Sequence, residues 1–122
     1  MKKSVKHIFK KGKYKVNGSL WIEGDGTRFW GPGPVELLGH IDATGSINQA
    51  AQKMGMSYKK AWEIVNRLNG MATNPMVITA TGGEKGGGSS ISAEAKEMIA
   101  YHKGLRERFK QFLEEETKQL MK

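Results

Sequence analysis

With 122 residues and a formal net charge of +8, the chain has room for one modest hydrophobic core and a charge balance suited to polyanionic partners. It has no cysteine, which excludes a disulfide framework and a thiolate metal site, and its three histidines (His7, His40, His102) lack ligand spacing. No apolar run reaches the roughly 18 residues of a membrane span, and the lysine-rich start lacks the apolar stretch of a signal peptide. The expected setting is the cytoplasm, with no membrane partner.

The charge is unevenly placed. Seven lysines and no acid fall in the first fifteen residues, whereas residues 16–93 balance six basic against six acidic side chains. Residues 94–122 carry seven against six. This pattern predicts a flexible basic arm over residues 1–13, followed by a single domain over 14–122. Such an arm suits a polyanion because each neutralised phosphate releases counterions, although a lysine-rich start is also the composition of a plain solvated tail.

Tyr14, Val16, Leu20, Trp21 and Ile22 favour extended chain, and Gly24-Asp25-Gly26 is strong turn chemistry before Thr27-Arg28-Phe29-Trp30. A β-hairpin with strands near 14–23 and 27–30 is predicted. Trp21 and Trp30 are placed over the helical core or a partner subunit rather than against bases. Gly31-Pro32-Gly33-Pro34 then ends the strand and opens a helix through Val35, Leu37, Leu38 and Ile41 that stops at Gly45.

Residues 46–69 organise the rest. Ile47, Ala50, Ala51 and Met54 recur at i, i+3, i+4 and i+7, giving one narrow apolar stripe on a short helix capped by Ser46. Gly55 stands where a helix end wants positive φ, Met56 is an apolar plug, and Ser57 caps a second helix. Its stripe is Tyr58, Ala61, Trp62, Val65 and Leu68, while Lys59, Lys60, Glu63, Asn66 and Arg67 share the opposite face. Two short amphipathic helices joined in this way are the sequence form of a helix-turn-helix, whose second helix can enter a DNA major groove. An ordinary αα-hairpin has the same pattern.

Asn74-Pro75 breaks the helix, Met76–Thr79 reads as a strand, and Thr81–Ser89 is glycine-rich before a second strand at Ser90-Ile91. A glycine-tipped hairpin over 77–91, directly after a helix-turn-helix, is the wing of a winged-helix domain. Glycines let backbone N–H groups approach a phosphate, with Lys85 beside them. A nucleotide-binding P-loop fits the order poorly, because Gly88 stands where its lysine belongs after Gly82 and Gly87, while a merely flexible hairpin tip has the same composition. Ser92 caps a last helix over 93–120, whose face of Met98, His102, Leu105, Phe109, Phe112, Leu113 and Leu120 exceeds what one core covers. That surplus predicts a homodimer through this helix, with the N-terminal hairpin as a further contact.

The fold class is therefore mostly α with small β-hairpins (α+β): a winged helix-turn-helix with an N-terminal hairpin and a long C-terminal helix. Enzymatic chemistry has no convergent polar set to rest on. There is no Ser/His/Asp ordering and no metal cluster, and Glu36 and Asp42 lie six apart, off a common helix face. The candidate DNA-binding residues are Ser46, Ser57, Tyr58, Lys59, Lys60, Asn66, Arg67, Gly83, Lys85 and Gly86, with double-stranded DNA as partner. The alternatives are a small oxyanion-sensing module and a protein-interaction module using the winged helix as scaffold.

GSINQAAQKMGMSYKKAWEIVNRLN at 45–69, with ATGGEKGGGSSIS at 80–92, resembles the N-terminal DNA-binding domain of the ModE family of molybdate-responsive transcription regulators, which carry a LysR-like winged helix-turn-helix. The resemblance covers roughly residues 30–120. It implies that Ser57, Tyr58, Lys59 and Lys60 open the recognition helix, that Gly82–Gly88 form the wing, and that the targets concern molybdenum transport or metabolism. Full-length members sense molybdate through C-terminal oligomer-binding-like domains. These 122 residues hold no counterpart, so no cofactor is expected here, and molybdate binding in cis is not expected.

Overall fold

A computed structural model describes residues 4–80 and 88–122. A short 3₁₀ turn at Lys6–Ile8 precedes β1 (Ile22–Gly24), β2 (Thr27–Trp30), α1 (Pro32–Thr44), α2 (Ile47–Lys53), α3 (Tyr58–Met71), β3 (Val77–Thr79), β4 (Ser89–Ile91) and α4 (Ala93–Leu120). The strands form two separate antiparallel pairs, β1 with β2 and β3 with β4. The fold class read from the sequence, helices with two small hairpins and a long last helix, is the one observed.

The chain divides into two compact units, Leu20–Ile99 and the described residues up to Ser19 together with Ala100–Lys122. In the first, Leu37, Leu38 and Ile41 of α1 meet Ile47, Ala50 and Ala51 of α2 and Ala61, Val65 and Leu68 of α3. Trp30, Met76, Val77, Ile91 and Ala95 complete the core. The four alanines are at most 1% exposed. Small side chains at these helix contacts let the backbones come close without leaving voids.

Each helix boundary has a local cause. Gly45 closes α1 at φ +71° and donates its N–H to the Ile41 carbonyl at 2.8 Å. Gly55 turns the chain at φ +66°, its N–H going to Gln52 and that of Met56 to Ala51, the paired bonds of a Schellman ending. Half-buried Met56 packs on the core as that motif's apolar partner. The Ser46, Ser57 and Ser92 hydroxyls accept the third N–H of α2, α3 and α4 in turn.

The N-terminal hairpin is shorter than predicted. Asp25 (φ +50°) and Gly26 (φ +79°) make its two-residue turn, and a bulge lies between Ile22 and Glu23, but no strand covers residues 14–21. There the hydrogen-bonding capacity is spent elsewhere. The Val16 N–H donates to Thr117 Oγ1 at 2.9 Å, and the Tyr14 hydroxyl donates to the Lys10 carbonyl at 2.8 Å. Among the described residues, no helix is long and apolar enough to cross a membrane.

Candidate nucleic-acid interface

The exposed side of α3 is a polar ridge. Ala61, Val65 and Leu68 turn into the core, leaving Lys59, Lys60, Glu63, Asn66 and Arg67 exposed on the far side. Glu63 and Arg67, four residues apart, do not pair: among the described residues the close acid–base contacts are Glu36 with His40 and Glu115 with Lys118. The arginine head is therefore available to a partner.

Two open clefts flank the ridge. One, of about 340 Å³, is lined by Ser46, Ile47 and Asn48 at the start of α2, Tyr58 and Trp62 of α3, and Thr79, Ala80, Gly88 and Ser89 at the wing root. The other, of about 310 Å³, lies between Lys60, Ile64 and Arg67 of α3 and residues 28–34 of the hairpin and α1. The polar face of α3 thus lies between two recesses.

The wing root is fixed to the helix-turn-helix by polar bonds. Asn69 Oδ1 accepts the N–H groups of Met76 and Val77 at 2.9 and 3.0 Å, and its Nδ2 donates to the Val77 carbonyl at 3.1 Å. From the other side, Ser89 donates its N–H to the Gly45 carbonyl at 2.8 Å. The Ala80 N–H donates to the Gly88 carbonyl at 2.8 Å and carries the hairpin one step beyond β3 and β4.

Most of the sequence-predicted residues share this face. Ser46 and Ser57 act as caps, and Ser46 also reaches the first cleft with Tyr58. Tyr58, the first residue of α3, is more open than its place in the apolar stripe implies, at 51% exposure, with its ring edge-to-face with Trp62 at 6.1 Å. Trp62 is half-buried on the core. Gly83, Lys85 and Gly86 lie outside the described residues. Sequence reasoning passed over Asn69, Asn48 and Arg28. The Arg28 guanidinium stacks 3.4 Å above the Trp21 ring, while Trp21 is 41% exposed rather than packed over the core.

Elsewhere, His102 is 2% exposed in the stripe of α4, and burial, with the neighbouring Arg106 charge, holds its pKa below the ordinary 6.5. Among the described residues no cluster of His, Asp and Glu could hold a metal ion.

Sequence comparison supplies relatives. The chain is 39% identical over 71 residues to the DNA-binding transcriptional dual regulator ModE of Escherichia coli, a match covering 58% of this chain and 27% of that protein. The molybdenum transport protein ModE of Azotobacter vinelandii is 35% identical over 71 residues, covering 58% and 26%. Over such a segment this chain is similar to ModE. The molybdenum-pterin-binding protein MopB of Rhodobacter capsulatus is 40% identical over 79 residues, 65% of this chain and 29% of that protein. The matches thus span between a quarter and a third of these relatives' lengths. No protein-family model matches the chain.

Proposed function

We propose that this chain is a sequence-specific, non-enzymatic DNA-binding module of a ModE-like transcription regulator, acting in the cytoplasm on genes of molybdenum transport or metabolism. The observation that carries the reading is the exposed ridge of Lys59, Lys60, Asn66 and Arg67 standing between two clefts on α3. Homology to proteins named as regulators supports it.

In this reading α3 enters the major groove, with Lys59 and Lys60 at its N-terminal end reaching guanine edges or phosphates. Asn66 and Arg67 lie further along. Ser46, Ser57 and Tyr58 reach the backbone beside the wing, and the wing glycines with Lys85 add sequence-independent attraction. Two protomers joined through α4 would set two such ridges about 34–36 Å apart, one turn of duplex. No cofactor is needed for this chemistry.

The test is duplex binding by Lys59→Ala and Lys60→Ala variants, with duplexes recovered by capture of genomic fragments on the wild-type protein. Each lost guanine contact is expected to weaken binding by about 5- to 150-fold, corresponding to about 1–3 kcal/mol. Each lost phosphate contact lowers the log–log salt slope by about 0.9. Unchanged affinity and slope in both variants would defeat the assignment. Calorimetry with molybdate in the absence of DNA separates it from an oxyanion-sensing module, and DNA retention at low salt separates it from a protein-interaction scaffold.

A further inference from the structure

The hairpin-side cleft carries a charge arrangement that the recognition-helix reading leaves unused. Arg28 of β2, Lys60 and Arg67 all line it, and no carboxylate does. Of the hairpin's two acids, Asp25 sits in the turn and Glu23 lies opposite Arg28 in the strand pair; neither lines the cleft, and Glu23 Oε2 accepts the Trp21 indole N–H at 2.9 Å. The floor is apolar, made by Phe29, Trp30 and Ile64 with Pro32 and Pro34. Pro32 and Pro34 lack backbone N–H groups, so in this stretch the opening turn of α1 offers an anion only the Gly33 N–H beside the three cationic side chains.

We infer that the β1–β2 hairpin is a second DNA-contacting element, with Arg28 holding the sugar–phosphate backbone on the flank of α3 opposite the wing. This rests on the proposed DNA reading and extends it to a residue outside the recognition helix. Three features favour a passing phosphodiester strand. Lys60 and Arg67 belong to both ridge and cleft, so a duplex seated on the ridge brings a strand to Arg28. All three cations are exposed, which suits a strand running across an open recess better than an enclosed compact oxyanion. Stacking on Trp21 holds the Arg28 guanidinium on a rigid surface, lowering the entropy lost when it meets a phosphate.

The hairpin is also held to α3. Gly24 faces the Met71 side chain so closely that a Cβ there would run into its terminal methyl. Trp30, the last residue of β2, is buried in the core that α3 also lines, and this keeps Arg28 beside the ridge.

The experiment compares wild type, Arg28→Gln and Arg28→Lys, as full chains, on captured genomic duplexes and on versions trimmed of their flanking base pairs. Arg28→Gln is expected to lower the salt slope by about 0.9 per protomer on the long duplex and to leave the trimmed duplex unaffected. Arg28→Lys is expected to keep the slope. An unchanged slope in Arg28→Gln, on DNA whose binding still depends on Lys59, overturns this inference while sparing the recognition-helix reading. Failure of wild type to bind any duplex overturns both. Calorimetric binding of inorganic phosphate or molybdate that Arg28→Gln abolishes makes the cleft a free-oxyanion pocket and overturns the strand. A change in self-association without a change in slope makes the hairpin a subunit contact and does the same.

Discussion

Replacing Asn69 with alanine is expected to loosen the wing root from α3 at a large cost in stability. The side chain supplies three hydrogen bonds, two accepted from Met76 and Val77 and one donated to the Val77 carbonyl. Met76 and Val77 are buried, at 8% and 3% exposure, so water does not readily replace what alanine removes. At about 1 kcal/mol net per bond, the loss is about 3 kcal/mol. For a chain of this size that corresponds to a fall in Tm of about 12 °C.

The assay is thermal unfolding followed by far-ultraviolet circular dichroism, with DNA binding measured well below both midpoints. Asn69→Asp keeps the two accepted bonds and is expected to lose less than half as much, since a carboxylate strengthens the bonds it accepts while facing the Val77 carbonyl unfavourably. DNA affinity is expected to fall in Asn69→Ala even where the protein remains folded, because the wing root no longer has a fixed distance from α3. A Tm drop below about 3 °C would refute the reasoning, as it would mean these bonds are exchanged for water at no cost.

Two further outcomes follow from the second unit. Because the folded pKa of His102 lies below its unfolded value, the unfolded chain binds more protons as pH falls through about 6.5, and stability is expected to decline on acidification. Denaturant unfolding at a series of pH values, with His102→Gln as the non-titrating control, checks this; an equal decline in the variant removes His102 as its source. Phe112 is 57% exposed on α4, stacked on Phe109 with ring centroids 6.5 Å apart. If that face joins two protomers, Phe112→Glu is expected to give monomers in sedimentation while shifting the protomer's unfolding little, and persisting dimers would place the contact elsewhere.

The helix-turn-helix was legible because its punctuation is chemical and local. Ser46, Gly55 and Ser57 fix their boundaries through bonds to neighbours within a few residues, and the 3.6-residue period then decides which side chains remain outside. The strand expected over 14–23 shows the opposite case. Tyr14 and Val16 have the right propensity, but Val16 spends its N–H on Thr117, a hundred and one positions away, and extended propensity without a partner strand makes no sheet. Asn69 left a signal that went unread: it falls seven residues after Trp62, on the inward side of α3, where a polar group needs partners.

Arg28 left no comparable signal. Its place beside Lys60 and Arg67 depends on a two-residue turn at Asp25-Gly26, on a bulge after Ile22, and on Gly24 seating the hairpin against α3. Of these only the turn is visible in the sequence, and which flank of α3 receives the hairpin is settled by the packing of Trp30 into the core. Periodicity assigns residues to one face of one element. A cleft shared by two elements is a property of their packing, so the ridge of α3 was within reach of sequence reasoning and the second arm of the proposed DNA surface was not.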